Sequence, residues 1–197
     1  MYHFFLAFAL LIASAPIPAV TSQTATQKPT RANPKRVSQT EIHQLQRLFP
    51  TQRLIPDQTF RVNLLECGTC LFVPVISEDL KLSIHLVQGD RIITTLPQSA
   101  KFSNWAIFQL NAVAFVRLGS TTPNEDGIII ISEHVTGIGR EGAIPFPVTR
   151  VYLRVPRSGG GWQFQFLEQE SETLTSRRVS TIAQAEKILR EEFSFRP

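Results

Sequence analysis

The sequence predicts an α+β fold: a mostly antiparallel β-sheet with a short N-terminal helix and a C-terminal helix packed on it. Two observations lead to this fold class. Between residues 60 and 167, short segments of β-branched and aromatic residues are separated by turn residues. On either side of this region lies an apolar pattern of helical period that begins with its own capping residues. Strands grouped between helices favour an α+β protein over an alternating α/β one.

The segment 1–22 has the layout of a secretory signal peptide. An apolar run from Phe4 to Ala15 is followed by two prolines and then by small residues up to Ser22. Such a run is too short to span a bilayer, which takes roughly 20 residues, and its small-residue end suits cleavage after Ser22. We therefore expect export. Because no Lys or Arg precedes the run, an uncleaved anchor and a buried N-terminal helix are the alternatives.

Residues 23–37 are expected to be a disordered basic linker, because they are polar and lack an apolar period. Four of the 20 basic residues lie before position 39, where there is no acid, so the other 16 balance the 16 acidic residues. A neutral body with a short basic tail matches a phosphate backbone poorly, so we expect no nucleic-acid partner. The body, 38–197, is long enough for a single domain with its own core.

Both helices are predicted from caps and apolar stripes. Ser38 with Glu41 forms a capping box at the first helix, and Pro50 ends it. Thr181 with Gln184 starts the second. The stripes consist of Ile42, Leu45, Leu48 and Phe49 in the first helix and of Ile182, Ala185, Ile188, Leu189 and Phe193 in the second. We expect both helices to cover one face of the sheet.

The expected β segments cover residues 60–64, 71–75, 82–86, 91–96, 105–110, 113–118, 127–131, 151–155 and 162–167. Alternating patterns predict half-buried strands, with His85 on a polar face. The unbroken isoleucines after Gly127 are typical of a central strand buried on both faces. Asn111-Ala112 and the glycine-rich 157–161 are expected turns.

The motif most suggestive of chemistry is Cys67-Gly68-Thr69-Cys70. A redox pair needs a helix after it to lower the thiol pKa, and the residues that follow are strand-like. Gly68-Thr69 instead suits a two-residue hairpin loop that places the cysteines opposite each other, within disulfide reach. We expect a structural disulfide, as is usual after export. A periplasmic thiol–disulfide oxidoreductase is the alternative function, and zinc would need two further ligands.

Residues 137–142 match G-x-G-x-x-G, but the prolines that follow cannot start the helix of a dinucleotide site. We expect a loop without a cofactor, and loops on rigid scaffolds carry binding surfaces. The residues expected to form a partner surface there are Glu133, His134, Arg140 and Glu141. An acid–base role for the first two is the alternative, although adjacent strand residues point to opposite faces.

Other constellations are incomplete. No G-x-S-x-G is present. An enzyme acting on cell-wall sugars would need two convergent carboxylates, for which the candidates are Glu66, Glu78, Asp79 and Asp90. The oxygen-rich stretch from Asn124 to Gly127 suits a turn better than a calcium site. We therefore expect no catalytic residues and no metal.

A partial family pattern covers Ala112 to Leu153. Its matching residues are Phe115, Val116, Leu118, Asp126, Gly127, Ile129 to Ile131, Val135 to Gly139, Gly142 and Pro145 to Val148. The stretch resembles one unit of the FG-GAP or VCBS-type repeats of exported bacterial proteins. Those repeats usually carry calcium-binding acids, which Arg117 and residues 120–123 replace here, and no second repeat is visible for a propeller.

Together these patterns predict an exported, non-catalytic binding or assembly module of the periplasm or cell exterior. Its expected partner is an unknown protein or envelope polymer, and we expect no transmembrane span in the mature chain.

Overall fold

The computed structural model describes residues 34–64, 67–102, 105–118, 126–137 and 144–195. The predicted signal peptide and residues 23–33 of the predicted linker lie outside this part of the chain. Over the described residues, no helix is both long and apolar enough to cross a membrane.

The described residues form ten strands and three α-helices, which confirms the α+β class. The strands are β1 (Lys35–Arg36), β2 (Arg53–Leu54), β3 (Phe60–Leu64), β4 (Gly68–Ile76), β5 (Leu82–Gln88), β6 (Arg91–Thr95), β7 (Ala106–Arg117), β8 (Asp126–Val135), β9 (Phe146–Pro156) and β10 (Trp162–Phe166). The helices are α1 (Gln39–Leu48), α2 (Glu168–Ser176) and α3 (Ile182–Glu192).

The strands are divided between two antiparallel sheets, a separation that the sequence patterns did not reveal. Sheet A has the order β1-β3-β4-β5-β6, with β2 pairing to β4 as well, and sheet B has the order β10-β9-β8-β7. The two sheets pack face to face. Phe72 of sheet A meets Phe115 of sheet B edge to face, with ring centroids 5.2 Å apart. Ile128, Ile130 and Tyr152 belong to the same buried cluster.

The helices lie on opposite outer faces, so the expectation that both cover one face is wrong. Leu45 of α1 and Phe49, the residue that caps its C-terminus, pack on sheet A, in a cluster with Val73, Val75 and Val87. On the far side, α2 and α3 pack on sheet B through a cluster that contains Leu174, Ala185, Leu189, Ile129, Ile131 and Val151. Both sheets are apolar on both faces, and each outer face therefore needs its own cover. The result is four layers in the order helix, sheet, sheet, helix.

The first helix begins as predicted. The Ser38 hydroxyl accepts from the Glu41 amide at 3.3 Å, and the Glu41 carboxylate accepts from the Ser38 amide at 2.9 Å. That backbone bond is the main reason why the pKa of Glu41 is lowered, and Arg61 contributes to the same shift. At α3, Thr181 caps the amide of Gln184 at 3.3 Å.

Helix α2 was not predicted, because two of its three buried side chains are the polar Ser171 and Thr175. Their hydroxyls form hydrogen bonds with strand β9. On the edge of β9 that faces away from β8, pairing with β10 begins only at Tyr152. Ser171 Oγ accepts from the amide of Val151 at 2.9 Å, and Thr175 Oγ1 accepts from the amide of Thr149 at 3.0 Å. The helix thus completes the hydrogen bonding of a strand edge.

Two further predictions were wrong about where a turn lies and where the linker ends. The turn expected at Asn111-Ala112 lies inside the continuous strand β7, where Phe108 and Asn111 are extra residues at two β-bulges opposite β8. A bulge bends a strand without reversing the chain, so its sequence resembles a turn. The linker expected at 23–37 includes Lys35–Arg36, which pair with Arg61 and Phe60 at the edge of sheet A.

Candidate functional site

Cys67 and Cys70 are joined by a disulfide, with 5.8 Å between their Cα atoms, as expected. The local geometry differs from the prediction, because Gly68 and Thr69 are the first residues of β4 rather than a hairpin loop. Cys70 pairs with Val62, and Cys67 lies in the connection of residues 65–67. The residue that follows Cys67, Gly68, has φ +57°, a conformation that favours glycine.

The surroundings of this pair differ from those of a reactive thiol. The strand β4 follows the motif, so Cys67 does not stand at the N-terminus of a helix that would lower its pKa. Cys70 is buried among the side chains between the two sheets. The bond therefore links the β3–β4 connection to the core.

The four residues expected to form a partner surface are distributed differently. Arg140 and Glu141 lie outside the described residues. Glu133 is half-buried on the outer face of sheet B, where its carboxylate accepts from Gln109 Nε2 at 3.1 Å. His134 points the opposite way, between the sheets, and is only 1% exposed. The two neighbours cannot act as an acid–base pair, and His134 presents no side chain to a partner in this fold.

His134 belongs to a polar cluster between the sheets, together with Ser132 and Arg150. Its Nε2 atom lies 3.0 Å from Ser132 Oγ and 3.3 Å from Arg150 Nη2. Since a guanidinium only donates hydrogen bonds, Nε2 is the accepting nitrogen, which assigns the ring proton to Nδ1. Among the described residues Nδ1 has no partner within hydrogen-bonding distance, although the Trp105 backbone is near.

The pKa of His134 is lowered to about 3, first by burial and then by the charge of Arg150. The Trp105 backbone raises the pKa, and the charge of Lys81 lowers it. The imidazole is therefore neutral at physiological pH. Burial likewise lowers the pKa of Arg150 and raises that of Tyr152, its neighbour on the same face of β9.

His85 also differs from its expected place on a polar face. Helix α1 covers that face, and the Phe49 ring stacks on the imidazole at a centroid distance of 4.9 Å. The Nδ1 atom of His85 lies 2.8 Å from Thr95 Oγ1. Burial lowers the pKa of His85, as expected for a neutral core histidine.

Three of the most exposed apolar side chains belong to residues at one end of the sandwich. They are Leu80, Phe108 and Ile144, with exposed fractions of 48%, 58% and 66%. We call this end of the sandwich the apolar end. A backbone hydrogen bond and the strand register place their backbones at the same end. The Ile107 amide, next to Phe108, donates to the Leu80 carbonyl at 2.8 Å. Ile107 pairs with His134, and His134 pairs with Phe146, just after Ile144.

The expected carboxylate candidates do not meet. Glu78 and Asp79 lie in the turn between β4 and β5, Asp90 lies in the turn between β5 and β6, and Glu66 is outside the described residues. Within the described ranges, no cluster of three His, Cys, Asp or Glu side chains could hold a metal ion. Gly137 has φ +72°, and the next described strand, β9, pairs antiparallel with β8.

No protein-family model, curated protein or solved structure matches this chain. The resemblance of residues 112–153 to one FG-GAP or VCBS-type unit therefore stays a prediction.

Sequence reasoning missed Arg150 and Ser132. For Arg150 the pattern indicates the opposite of what the structure shows. Period-two alternation places Arg150, Tyr152 and Arg154 on one face of a strand, and arginines that alternate with apolar residues predict a solvent-exposed face. Ser132 offered no signal either, since a serine after an isoleucine run is also typical of a strand end.

Proposed function

We propose that this protein is an exported, non-catalytic binding or assembly module of the periplasm or cell exterior, and that its partner, a protein or an envelope polymer, contacts the apolar end. The observation that carries this proposal is the grouping of Leu80, Phe108 and Ile144, each about half exposed or more, at one end of the sandwich. Single exposed apolar residues are ordinary, whereas a group of them is typical of an interaction site.

The two connections that frame this end support the proposal. Leu80 belongs to the β4–β5 turn, where its φ is +58°, and Ile144 closes the connection between β8 and β9 that contains Arg140 and Glu141. Binding residues are commonly carried by such connections on a rigid sheet. The Trp105 and Phe146 rings pack edge to face, 6.0 Å apart, next to the starts of β7 and β9 at this end.

A non-catalytic role is supported by the inaccessibility of the Ser132–His134 contact, the Ser–His contact found among the described residues. Ser132 and His134 are buried between the sheets, so a substrate cannot reach the hydroxyl in this fold. Export is supported by the signal-like segment 1–22 and is consistent with a bonded cysteine pair.

Site-specific photo-crosslinking in the native host tests the binding surface. A photoreactive amino acid replaces Phe108 or Ile144 in the full chain, and Ile92, an apolar residue of edge strand β6 that is 46% exposed, serves as the control position. We expect one covalent adduct of the same mass from positions 108 and 144 and none from position 92. Absence of adducts, or equal adducts from all three positions, would contradict the proposed surface.

Mass spectrometry of the protein from its native host tests export separately. We expect a mature N-terminus after Ser22 and oxidised Cys67 and Cys70. Recovery of the chain from the cytosol with Met1 present and both thiols reduced would exclude the proposed location.

A further inference from the structure

Arg150 is a buried cation, and no carboxylate of the described residues pairs with it. Its side chain is 7% exposed, on the face of β9 that meets sheet A. Among the described residues, none of the ion pairs involves it. Burial of an uncompensated charge costs several kcal/mol, so such a group normally has a counter-charge.

The surroundings of Arg150 add positive charge. The two charged side chains that act on His134 are Arg150 and Lys81, and both are cations that lower the pKa of that histidine. Two described polar groups act on the guanidinium: the neutral imidazole of His134, which accepts a hydrogen bond from it, and Tyr152 on the same face of β9. The described part of this region is therefore electropositive.

The guanidinium has more donors than the one that His134 uses. One nitrogen, Nη2, donates to His134 Nε2 at 3.3 Å. Among the described residues, no second side-chain hydrogen bond of Arg150 is present. A guanidinium carries five N–H donors, so the others are available to a ligand at this largely buried position.

The register shows where these donors point. Arg150 pairs with Ile130, whereas His134 pairs with Phe146, four residues nearer to the apolar end. Contact between Arg150 and His134 therefore means that the guanidinium extends along the inside of sheet B towards that end. A ligand would approach from the same end as Lys81.

We propose that Arg150, together with Tyr152 and with Lys81 near His134, forms a binding site between the two sheets for a small oxyanion, either a carboxylate or a phosphate. A guanidinium with free donors suits the planar or tetrahedral oxygens of such groups, and a largely dehydrated site strengthens the attraction. The site does not depend on a macromolecular partner at the apolar end.

Thermal unfolding at constant ionic strength tests this site, with chloride replaced by acetate in one series and by inorganic phosphate in another. A bound anion stabilises the folded protein by mass action, and ten times the Kd raises Tm by roughly 3–6 °C for a domain of this size. Response to acetate alone identifies a carboxylate site and response to phosphate alone a phosphate site. No difference from chloride in either series overturns the proposal.

The matched variants are Arg150→Met, which keeps the length of the side chain, and Arg91→Met, which removes an exposed arginine of β6. In chloride we expect Arg150→Met to unfold at or above the wild-type temperature, because it removes an unbalanced buried charge. In acetate or phosphate, wild type and Arg91→Met gain stability whereas Arg150→Met does not. General salt stabilisation would act on all three proteins alike, and an unchanged response of Arg150→Met overturns the proposal.

A spectroscopic measurement keeps the test decisive if Arg150→Met fails to fold. In wild-type protein with ¹⁵N-labelled arginine, one buried guanidinium resonance is expected to shift and saturate as the effective anion is added. Lys81→Gln is expected to raise the Kd severalfold without abolishing saturation. A linear, unsaturated shift at every arginine would mean general ionic effects and would refute the site.

Discussion

Removal of the hydroxyl of Ser171 tests whether α2 completes the edge of β9. In Ser171→Ala the amide of Val151, now 2.9 Å from the hydroxyl, loses its partner inside a fully buried region. An unsatisfied buried amide costs about 1–3 kcal/mol. For a domain of this size, that corresponds to a fall in Tm of roughly 2–12 °C.

The same reasoning applies one helical turn further along. In Thr175→Val the shape of the side chain is kept, but the amide of Thr149 loses its acceptor at 3.0 Å. We expect a similar cost, and about 2–6 kcal/mol for the double variant, a large fraction of the stability of a typical domain.

Equilibrium unfolding in urea, followed by tryptophan fluorescence and circular dichroism, measures these costs. Ser176→Ala is the matched control, because its exposed hydroxyl bonds only to the Thr173 carbonyl of its own helix. We expect the control to change stability by less than about 0.5 kcal/mol. If Ser171→Ala costs no more than this control, the Val151 amide does not depend on the helix and the reasoning is refuted.

Three further outcomes are expected. Replacement of Cys67 and Cys70 by alanine lowers the free energy of unfolding by about 2 kcal/mol on the chain-entropy estimate. A glutathione titration of the wild-type protein gives a reduction potential below about −300 mV for this pair. A value between about −120 and −270 mV would indicate a redox enzyme instead. Because the pKa of His134 is about 3 in the folded protein and about 6.5 when unfolded, stability falls as pH drops below 6.5, by about 2 kcal/mol at pH 5. His134→Gln weakens this dependence in urea titrations, leaving the smaller part due to His85, whereas the exposed His43→Gln leaves it unchanged; equal slopes in all proteins would contradict the assignment. Ile130→Ala costs about 2–5 kcal/mol in the same assay, and a cost below 1 kcal/mol would mean that the sheets are not closely packed there.

Local elements were predictable where a short residue pattern is typical of a single local structure. The capping box at Ser38 and the isoleucine run after Gly127 appear in the structure as expected. At Thr181 the predicted box is half formed, because the Gln184 side chain accepts from the Ser180 amide instead of that of Thr181. Each depends on contacts within a few positions of the chain, which sequence patterns report directly.

Long-range arrangement was not predictable from the same patterns. Periodicity shows which face of a strand is apolar, but not whether a second sheet or a helix covers that face. His85 was placed on a polar face for this reason, although Phe49, which caps the C-terminus of α1, covers it. Helix α2 was missed because Ser171 and Thr175 count as polar in any apolar pattern, yet both are buried.

The candidate site was predictable only in part. The disulfide followed from the spacing of the cysteines, whereas the turn position did not, because Gly68 serves a strand start as well as a loop. The pairing of Arg150 with His134 joins residues 16 positions apart in sequence, and only the strand register brings them together.

The hydroxyls of α2 also influence how this protein would begin to aggregate. Strand β9 is shielded at Thr149 and Val151 only while the helix stays docked. Detachment of the C-terminal helices would uncover two unpaired amides beside the isoleucines of β8, and such an edge is a template on which a second chain can add a strand. Loss of the helical layer before the sheets melt is therefore the step at which we expect aggregation to begin.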